Sequence, residues 1–334
     1  MNAVSRKLAV LRPLLNAQVV ALAFVLFCNW LLFPGFFNLS IQDGRLFGSL
    51  VDVLNRGAPV AILAIGMTLV IATRGVDLSV GAVMAVSGAV AATLIVDGYP
   101  ASVAITGALI AGLICGIWNG FLIAFLEIQP IVATLVLMVA GRGIAQLITE
   151  GTIVTFDDPW LNTIGNGVFL GLPIAPWIMV TLVVLAILIV KRTSLRLFIE
   201  AIGINTSAAR LNGLQSKFIL MFVYSFSGFC AGIAGVLAAA NIRGADANNA
   251  GLWLELDAIL AVVIGGTSLL GGRFSIAKAI VGALIIQATN TGILVSGLPP
   301  EFNLIVKAAV ILLLLILQSS RASSIIQRKW RRSN

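Results

Sequence analysis

Long, unbroken apolar runs recur along the whole chain, and they restrict its possible folds more than any other feature. Of the 334 residues, 60% are hydrophobic and 10% are charged, whereas soluble domains average about 25% charged residues. Most of this apolar surface must therefore face lipid, where only helices and closed barrels satisfy every backbone hydrogen bond. Because the runs are continuous and do not alternate with polar residues, they predict helices.

The spacing of the runs predicts an all-α polytopic membrane protein with about ten transmembrane helices. A span needs about 20 apolar residues. The predicted spans cover residues 17–34, 58–73, 79–96, 101–125, 129–149, 173–190, 217–240, 255–271, 275–295 and 302–319. Segment 150–172 is rich in Gly, Asn, Pro and Asp, and we expect a loop with little regular structure there. The whole chain, 1–334, then forms one membrane domain.

Most of the positive charge lies in three short parts of the chain. The net charge is +8, and cations cluster in residues 1–16, 191–217 and 321–332. Ten spans put both termini and the loop 191–217 on one side, which the positive-inside rule identifies as the cytoplasm. This distribution is typical of a membrane protein and argues against nucleic-acid binding.

The residues that most often carry catalysis or metal binding are scarce. Histidine is absent, and Cys28, Cys115 and Cys230 lie far apart inside apolar runs, where we expect small buried hydrophobic side chains. No G-x-x-x-x-G-K-[ST] motif occurs, so the chain has no phosphate-binding loop of this type. The sequence therefore predicts a protein that is not an enzyme and has no catalytic residue, metal site or cofactor of its own.

Two polar, glycine-containing segments interrupt the apolar runs. "TRGVDLSVGAV" (73–83) carries Asp77 and Ser79, and "IGGTSLLGGRFS" (264–275) carries four glycines. Such breaks often mark the path of a transporter, but tight turns at the cytoplasmic surface fit them equally well. The charge of Arg74 favours the surface placement. Asp77 and Ser79 are suited to cap the helix that follows.

The segment "RLFIEAIGINTSAARLNGL" (196–214) is amphipathic, unlike its surroundings. A helix over 205–212 would carry Ala208, Ala209 and Leu211 on one side, with Gly213 as its C-terminal stop. Such a short helix is unstable alone because nucleation is costly, so it must pack on something. It fits either a docking helix for a cytoplasmic protein or a helix lying at the lipid headgroups.

Several motifs resemble one family of transport proteins. "EAIGINTSAARLNG" (200–213) resembles the cytoplasmic coupling loop of ABC-importer permeases. The order and spacing of further motifs resemble the ribose-type monosaccharide permeases over almost the whole chain: "GVDLSVGA" (75–82), "WNG" (118–120), "IQPIVATL" (128–135), "GRG" (141–143), "ELDAILAVVIGGTSLLGG" (255–272) and "VKAAVILL" (306–313). "QDGRLFGS" (42–49) and "IRGADANNAGLWLELDA" (242–258) look closest to galactofuranose-type members. Arg74 departs from the pattern, since relatives usually have Gly there.

The resemblance implies a permease of the bacterial inner membrane that passes a monosaccharide, in particular a furanose, into the cytoplasm. The implied partners are a separate ATPase subunit that binds ATP and Mg, a second homologous permease forming a heterodimer, and a periplasmic sugar-binding protein. The alternative is an ion-coupled secondary transporter or a channel, which usually places acidic residues within its spans. Here such residues lie near predicted span ends.

The resemblance and the polar side chains together name three groups of candidate residues. Those matching the coupling loop are Glu200, Ala201, Gly203, Ala208, Ala209, Arg210 and Gly213. Candidates for the substrate path, which could bind sugar hydroxyls or only link helices, are Asp77, Ser79, Asn119, Gln129, Thr134, Asn241, Glu255 and Asp257. Arg243, with Arg45 and Arg56 as weaker candidates, is expected to contact acidic groups of the binding protein unless Arg243 pairs with Asp246.

Overall fold

The computed structural model describes residues 17–42, 44–297, 299 and 301–309. In chain order its helices are α1 (Ala17–Leu32), α2 (Ser49–Ala72), α3 (Val80–Val96), α4 (Ala101–Ala124), α5 (Pro130–Ile148), α6 (Pro159–Asn166), α7 (Ile174–Arg192), α8 (Leu195–Ile204), α9 (Thr206–Leu211), α10 (Ser216–Ile242), α11 (Leu254–Ile264) and α12 (Ile276–Val295). Residues 302–309 are also helical. Among the described residues, six helices (α2, α4, α5, α7, α10 and α12) are long and apolar enough to cross a membrane.

The helices confirm an all-α polytopic membrane protein. The number of ten spans stays a prediction, because α1, α3 and α11 are shorter and the span at 302–319 extends beyond the described residues. Residues 1–16 and 310–334, with two of the three cationic clusters, also lie outside the described residues. The common location of the two termini is therefore a prediction as well.

Short antiparallel strand pairs join the helices at the end of the bundle remote from α8 and α9. They are β1 (Ser40–Gln42) with β2 (Arg45–Phe47), β3 (Val154–Thr155) with β6 (Gly244–Ala245), and β4 (Val168–Phe169) with β5 (Leu172–Pro173). The expectation of little regular structure in 150–172 is wrong, since α6 and three of these strands include residues of that segment. Asp158 starts α6 by accepting hydrogen bonds from the backbone N–H groups of Trp160 (3.0 Å) and Leu161 (2.9 Å).

Two predicted span boundaries differ clearly from the structure. Helix α2 begins at Ser49 instead of residue 58 and contains Pro59 in its interior. Helix α11 ends at Ile264 instead of residue 271, because Gly265 and Gly266 follow it and Gly266 has a positive φ of 86°. The proline and the charged residues within Ser49–Ala72 thus do not interrupt α2. The paired glycines, in contrast, end α11 earlier than hydropathy indicated.

Helix α10 lies at the centre of the bundle and packs against α2, α3 and α4. Its contact with α4 is made by glycines, since a Cβ on Gly116 would lie 2.9 Å from the Cα of Ser225 and 3.1 Å from that of Gly228. Small residues let helix backbones approach closely in lipid, where packing replaces the hydrophobic effect as the driving force. The glycine-rich stripes of the sequence are therefore packing surfaces at this contact.

The first turns of α3 and α11 lie against each other in buried surroundings. A Cβ on Gly81 would clash with the carbonyl oxygen of Gly251 and approach the carboxylate of Glu255. Gly251 itself has a φ of 72°, which glycine adopts at little cost. Two helix N-termini thus meet inside the bundle, next to the segment that follows α2.

Candidate functional site

The amphipathic segment forms two consecutive short helices, α8 and α9. Asn205 separates them, and its side-chain oxygen accepts a hydrogen bond from the backbone N–H of Ala208 at 3.0 Å. Gly213 follows α9 with a φ of 83°, and the N–H of Leu214 bonds to the carbonyl of Ala209 at 3.1 Å. The predicted helix over 205–212 and its glycine stop are confirmed.

The two alanines of α9 have different surroundings. Ala208 is exposed, whereas Ala209 is 6% exposed and packs within its own chain. The expectation that Ala208 and Ala209 lie on one side is therefore wrong, because consecutive helical residues are about 100° apart. Leu211 is 90% exposed, so the exposed face of α9 carries the side chains of Ala208 and Leu211.

Polar contacts tie this segment to the bundle. Arg210 donates from Nε to Ser216 Oγ at 2.8 Å, and its Nη1 lies 3.5 Å from Glu127 Oε1 beyond the end of α4. Within α8, Arg196 pairs with Glu200 at 2.9 Å. Both cations are about half exposed, and surface pairs of this kind contribute about 0–1 kcal/mol each. They fix the orientation of the segment more than they stabilise the fold.

The two breaks predicted from the sequence meet at this end of the bundle. The N–H of Gly272 donates to the carbonyl of Ala72 at 2.9 Å, and a Cβ on Gly203 would clash with the same carbonyl oxygen. The partly buried Ala201 lies two residues before Gly203 in α8. The ends of α2 and α8 and the segment after α11 therefore form one junction.

Asp77 is the centre of a buried polar network. Its Oδ1 accepts hydrogen bonds from the backbone N–H (3.1 Å) and the hydroxyl (2.6 Å) of Ser79, and its Oδ2 accepts from the Ser227 hydroxyl at 2.9 Å. Asn119 donates to the Ser79 hydroxyl at 2.9 Å. Asp77 is 1% exposed, and these bonds compensate its removal from water. The network joins the segment between α2 and α3 to α4 and α10.

The expected capping role of this pair is only half right. Ser79 occupies the N-cap position of α3, but its side chain makes no capping hydrogen bond; its hydroxyl donates to Asp77 and accepts from Asn119. Sequence reasoning missed Ser227, a single serine within an apolar helix. The neighbouring Gly228 gave no signal for it, because Gly228 faces α4 whereas Ser227 lies against Gly66 of α2.

Thr134 lies beside the network without joining it. Its hydroxyl is within 3.2 Å of the carbonyl of Val76 and 2.9 Å of that of Pro130. Two buried atoms near the network, Asn119 Oδ1 and the Tyr224 hydroxyl, have no hydrogen-bond partner among the described residues. The network therefore lies in a packed interior, where few of the described polar atoms lack a hydrogen-bond partner.

The other path candidates do not gather around the network. Gln129 is exposed at the start of α5, and Asn241 is exposed near the end of α10. Glu255 is buried beside Gly81, and Asp257 forms an ion pair with Lys307 at 2.8 Å. The structure brings together Asp77, Ser79 and Asn119, with Thr134 beside them. Among the described residues, the remaining candidates make no hydrogen bond to this group.

The remote end carries the three candidate docking cations. Arg243 is exposed with a φ of 54°, and its carbonyl accepts from the N–H of Phe156 at 3.0 Å. Arg56 is exposed on α2, and the guanidinium of Arg45 lies 5.0 Å from the ring centroid of Phe47. All three are on the side remote from α8 and α9.

Asp246 is occupied by its own loop and does not pair with Arg243. It accepts from Asn249 Nδ2 at 2.7 Å and from the backbone N–H groups of Asn248 (3.0 Å) and Asn249 (3.2 Å). The hydrogen bond from the Asn249 side chain is the main reason that the pKa of Asp246 is lowered. Arg142 of α5 holds the same loop through the carbonyls of Ala247 (3.0 Å) and Ala250 (2.6 Å).

A cavity of about 350 Å³ lies between α3, α10 and segment 244–251. Its lining is mostly glycine and alanine, and Asp246 and Asn249 contribute its polar side chains. No cluster of three or more potential metal ligands occurs among the residues that the structure describes.

Comparison with known proteins identifies relatives over most of the chain. Residues 49–315 match the family described as "Branched-chain amino acid transport system / permease component". The chain is 58% identical over 310 residues to the galactofuranose transporter permease protein YtfT of Escherichia coli (strain K12), covering 93% of this chain and 91% of that protein. It is 45% identical over 265 residues to the fructose import permease protein FruF of Bifidobacterium longum (strain NCC 2705), covering 78% and 74%.

A more distant relative is also a sugar permease. The ribose import permease protein RbsC of Escherichia coli (strain K12) is 38% identical over 281 residues, covering 83% of this chain and 85% of that protein. No solved structure matches the chain.

Proposed function

Because the chain belongs to the family of branched-chain amino acid transport system permease components, we propose that it is the membrane permease subunit of an ABC importer for a monosaccharide. The observation that carries this proposal is the 58% identity to a galactofuranose permease across 93% of the chain. The fructose and ribose permeases among the relatives support the wider class of substrate. Galactofuranose is the proposed sugar.

The exposed surface of α8 and α9 supports an energy source outside this chain. Leu211 is 90% exposed and Ile204 62% exposed, and both lie on a segment whose sequence resembles a coupling loop. Buried in a groove of a partner, each leucine- or isoleucine-sized side chain is worth about 1.5–3 kcal/mol. We therefore assign α8 and α9 to the cytoplasmic side, as the docking site of an ATPase subunit that supplies ATP hydrolysis.

This assignment sets the remaining topology and partners. The end that carries Arg243, Arg45 and Arg56 then faces the periplasm of a bacterial inner membrane and receives a sugar-binding protein. Ten spans, with both termini in the cytoplasm, agree with the cationic clusters at 1–16, 191–217 and 321–332. A second, different permease completes the complex.

Reconstitution of the complex in proteoliposomes tests the function. With the ATPase, a second permease and the binding protein present, we expect galactofuranose uptake that requires ATP inside the vesicle and no ion gradient. Uptake that needs an ion gradient and ignores ATP would favour a secondary transporter instead. Active complexes assembled from this permease alone with the ATPase would overturn the heterodimer.

A further inference from the structure

Arg74 adopts a backbone conformation that few side chains tolerate. It follows the last turn of α2 with a φ of 65°, in the left-handed region where residues other than glycine are uncommon. A side chain that persists in such a conformation is held by contacts elsewhere in the structure. For Arg74 these contacts come from its guanidinium group.

The guanidinium joins two segments that are distant in sequence. Nη2 donates to the carbonyl of Ile204 at 2.6 Å, and Nε donates to the carbonyl of Leu270 at 2.8 Å. Ile204 is the last residue of α8, so its carbonyl is among those that the helix itself leaves unpaired. Leu270 belongs to the glycine-rich segment between α11 and α12. Charge-assisted bonds of this length are the stronger kind.

The backbone around these contacts leaves little room for independent motion. Gly203 touches the carbonyl of Ala72, and Gly272 donates to that carbonyl at 2.9 Å. A Cβ on Gly271 would collide with the Arg74 side chain. The end of α8, the end of α2 and the segment after α11 therefore move together while the Arg74 contacts hold.

The same short segment reaches the interior three residues later. Asp77 bonds to Ser227 of α10 and, through Ser79, to Asn119 of α4. A continuous path of hydrogen bonds and one short backbone segment therefore connects α8 to two central helices, and a displacement of α8 can be transmitted along it. Rigid, contiguous elements of this kind can carry coupling between distant sites.

We propose that Arg74 is a positioning residue that transmits movement of the α8–α9 segment to the core helices α4 and α10. The proposal rests on the proposed function, in which α8 and α9 dock the ATPase. In that complex Arg74 does not touch sugar or nucleotide. It keeps the docking segment and the Asp77 segment in a fixed relation, so that ATP hydrolysis and the movement of the core helices remain coupled.

The test compares Arg74→Gly and Arg74→Lys in the full reconstituted complex. Glycine adopts the positive φ without strain, so this variant removes the guanidinium while leaving the backbone conformation accessible. Lysine keeps the charge but presents one nitrogen in place of the planar fork. Arg192→Ala is the matched control, because Arg192 is exposed at the end of α7 and its removal subtracts the same charge from the same end.

The decisive measurement is sugar transported per ATP hydrolysed, together with the ratio of ATPase rates with and without the loaded binding protein. We expect both quantities to fall about five- to tenfold in Arg74→Gly, in the range of typical coupling energies, with a smaller loss in Arg74→Lys and none in Arg192→Ala. A role in stability alone would lower the amount of complex and leave both ratios unchanged.

Copurification of the ATPase separates failure of this proposal from failure of the docking assignment. Arg74→Gly complexes that retain the ATPase and the wild-type ratios would overturn the role of Arg74 while leaving the docking assignment intact. Loss of the ATPase from Arg74→Gly, at a normal amount of folded permease, would also overturn the proposal, since Arg74 would then act on assembly. Wild-type complexes that transport sugar without an ATPase would refute the proposed function itself.

Discussion

Ala208 and Ala209 form a matched pair for testing the docking role of α9. Ala208→Leu adds a side chain at an exposed position, so the fold of the isolated permease need not change. Ala209→Leu adds the same atoms at a site that is 6% exposed, where overpacking costs the permease itself about 1–3 kcal/mol. If an ATPase groove fits closely around Ala208, Ala208→Leu costs a similar amount in binding, which corresponds to about 5- to 150-fold in affinity.

The assay purifies the complex through a tag on the ATPase and measures permease per ATPase, with sugar uptake by the same complexes. We expect Ala208→Leu to insert into the membrane at the wild-type level but to lose most of the ATPase. Ala209→Leu should instead lower the amount of folded permease. An Ala208→Leu variant that keeps both the ATPase and full uptake would refute the docking assignment. A helix at the lipid headgroups would replace it, because added apolar area strengthens membrane binding there.

Three further changes test other contacts. Ser227→Ala removes a hydrogen bond to a buried carboxylate, so thermal unfolding in detergent should show a loss of about 1.5–3 kcal/mol, with Ser225→Ala as the control; equal stability of the two variants would contradict the network. Gly203→Ala puts a methyl group against a backbone oxygen of α2 and should reduce folded protein by immunoblot, whereas Gly143→Ala, which has open space around it, should not. Arg243→Glu should reduce binding-protein-stimulated ATP hydrolysis with basal hydrolysis unchanged, and unaltered stimulation would remove Arg243 from the docking surface.

The parts of the fold that depend on local chemistry could be predicted from the sequence. Continuous apolar runs located most of the helices, because hydropathy reports directly on the lipid environment. The α9 segment was predicted to within a residue, since Asn205 supplies a side-chain cap and Gly213 a positive φ. Both features act within a few residues of the helix that they delimit.

The parts that failed depend on neighbours that the sequence does not reveal. Pro59 lies in the interior of α2, although the predicted span placed it at the start, because a proline in a membrane helix can be accommodated by adjacent helices. The burial of Ala209 and the role of Ser227 likewise follow from which helix faces meet. Arg74 was predicted to lie at a surface, and it is exposed there, while Asp77, only three residues on, is buried. No local pattern distinguishes these two placements.

The positions of the polar candidates argue that this chain supplies only part of a sugar path. Asp77 and Ser79 bond to each other and to their neighbours, whereas Gln129 and Asn241 are exposed at the surface of the chain. The 350 Å³ cavity is lined mainly by glycine and alanine, which offer few partners for the several hydroxyls of a monosaccharide. Sugar sites need convergent polar groups around the ligand. Gln129 and Asn241 lie at opposite ends of the bundle, so each exposed amide can become part of an enclosed site only when another surface faces it, which is the physical reason for expecting a second permease chain beside this one.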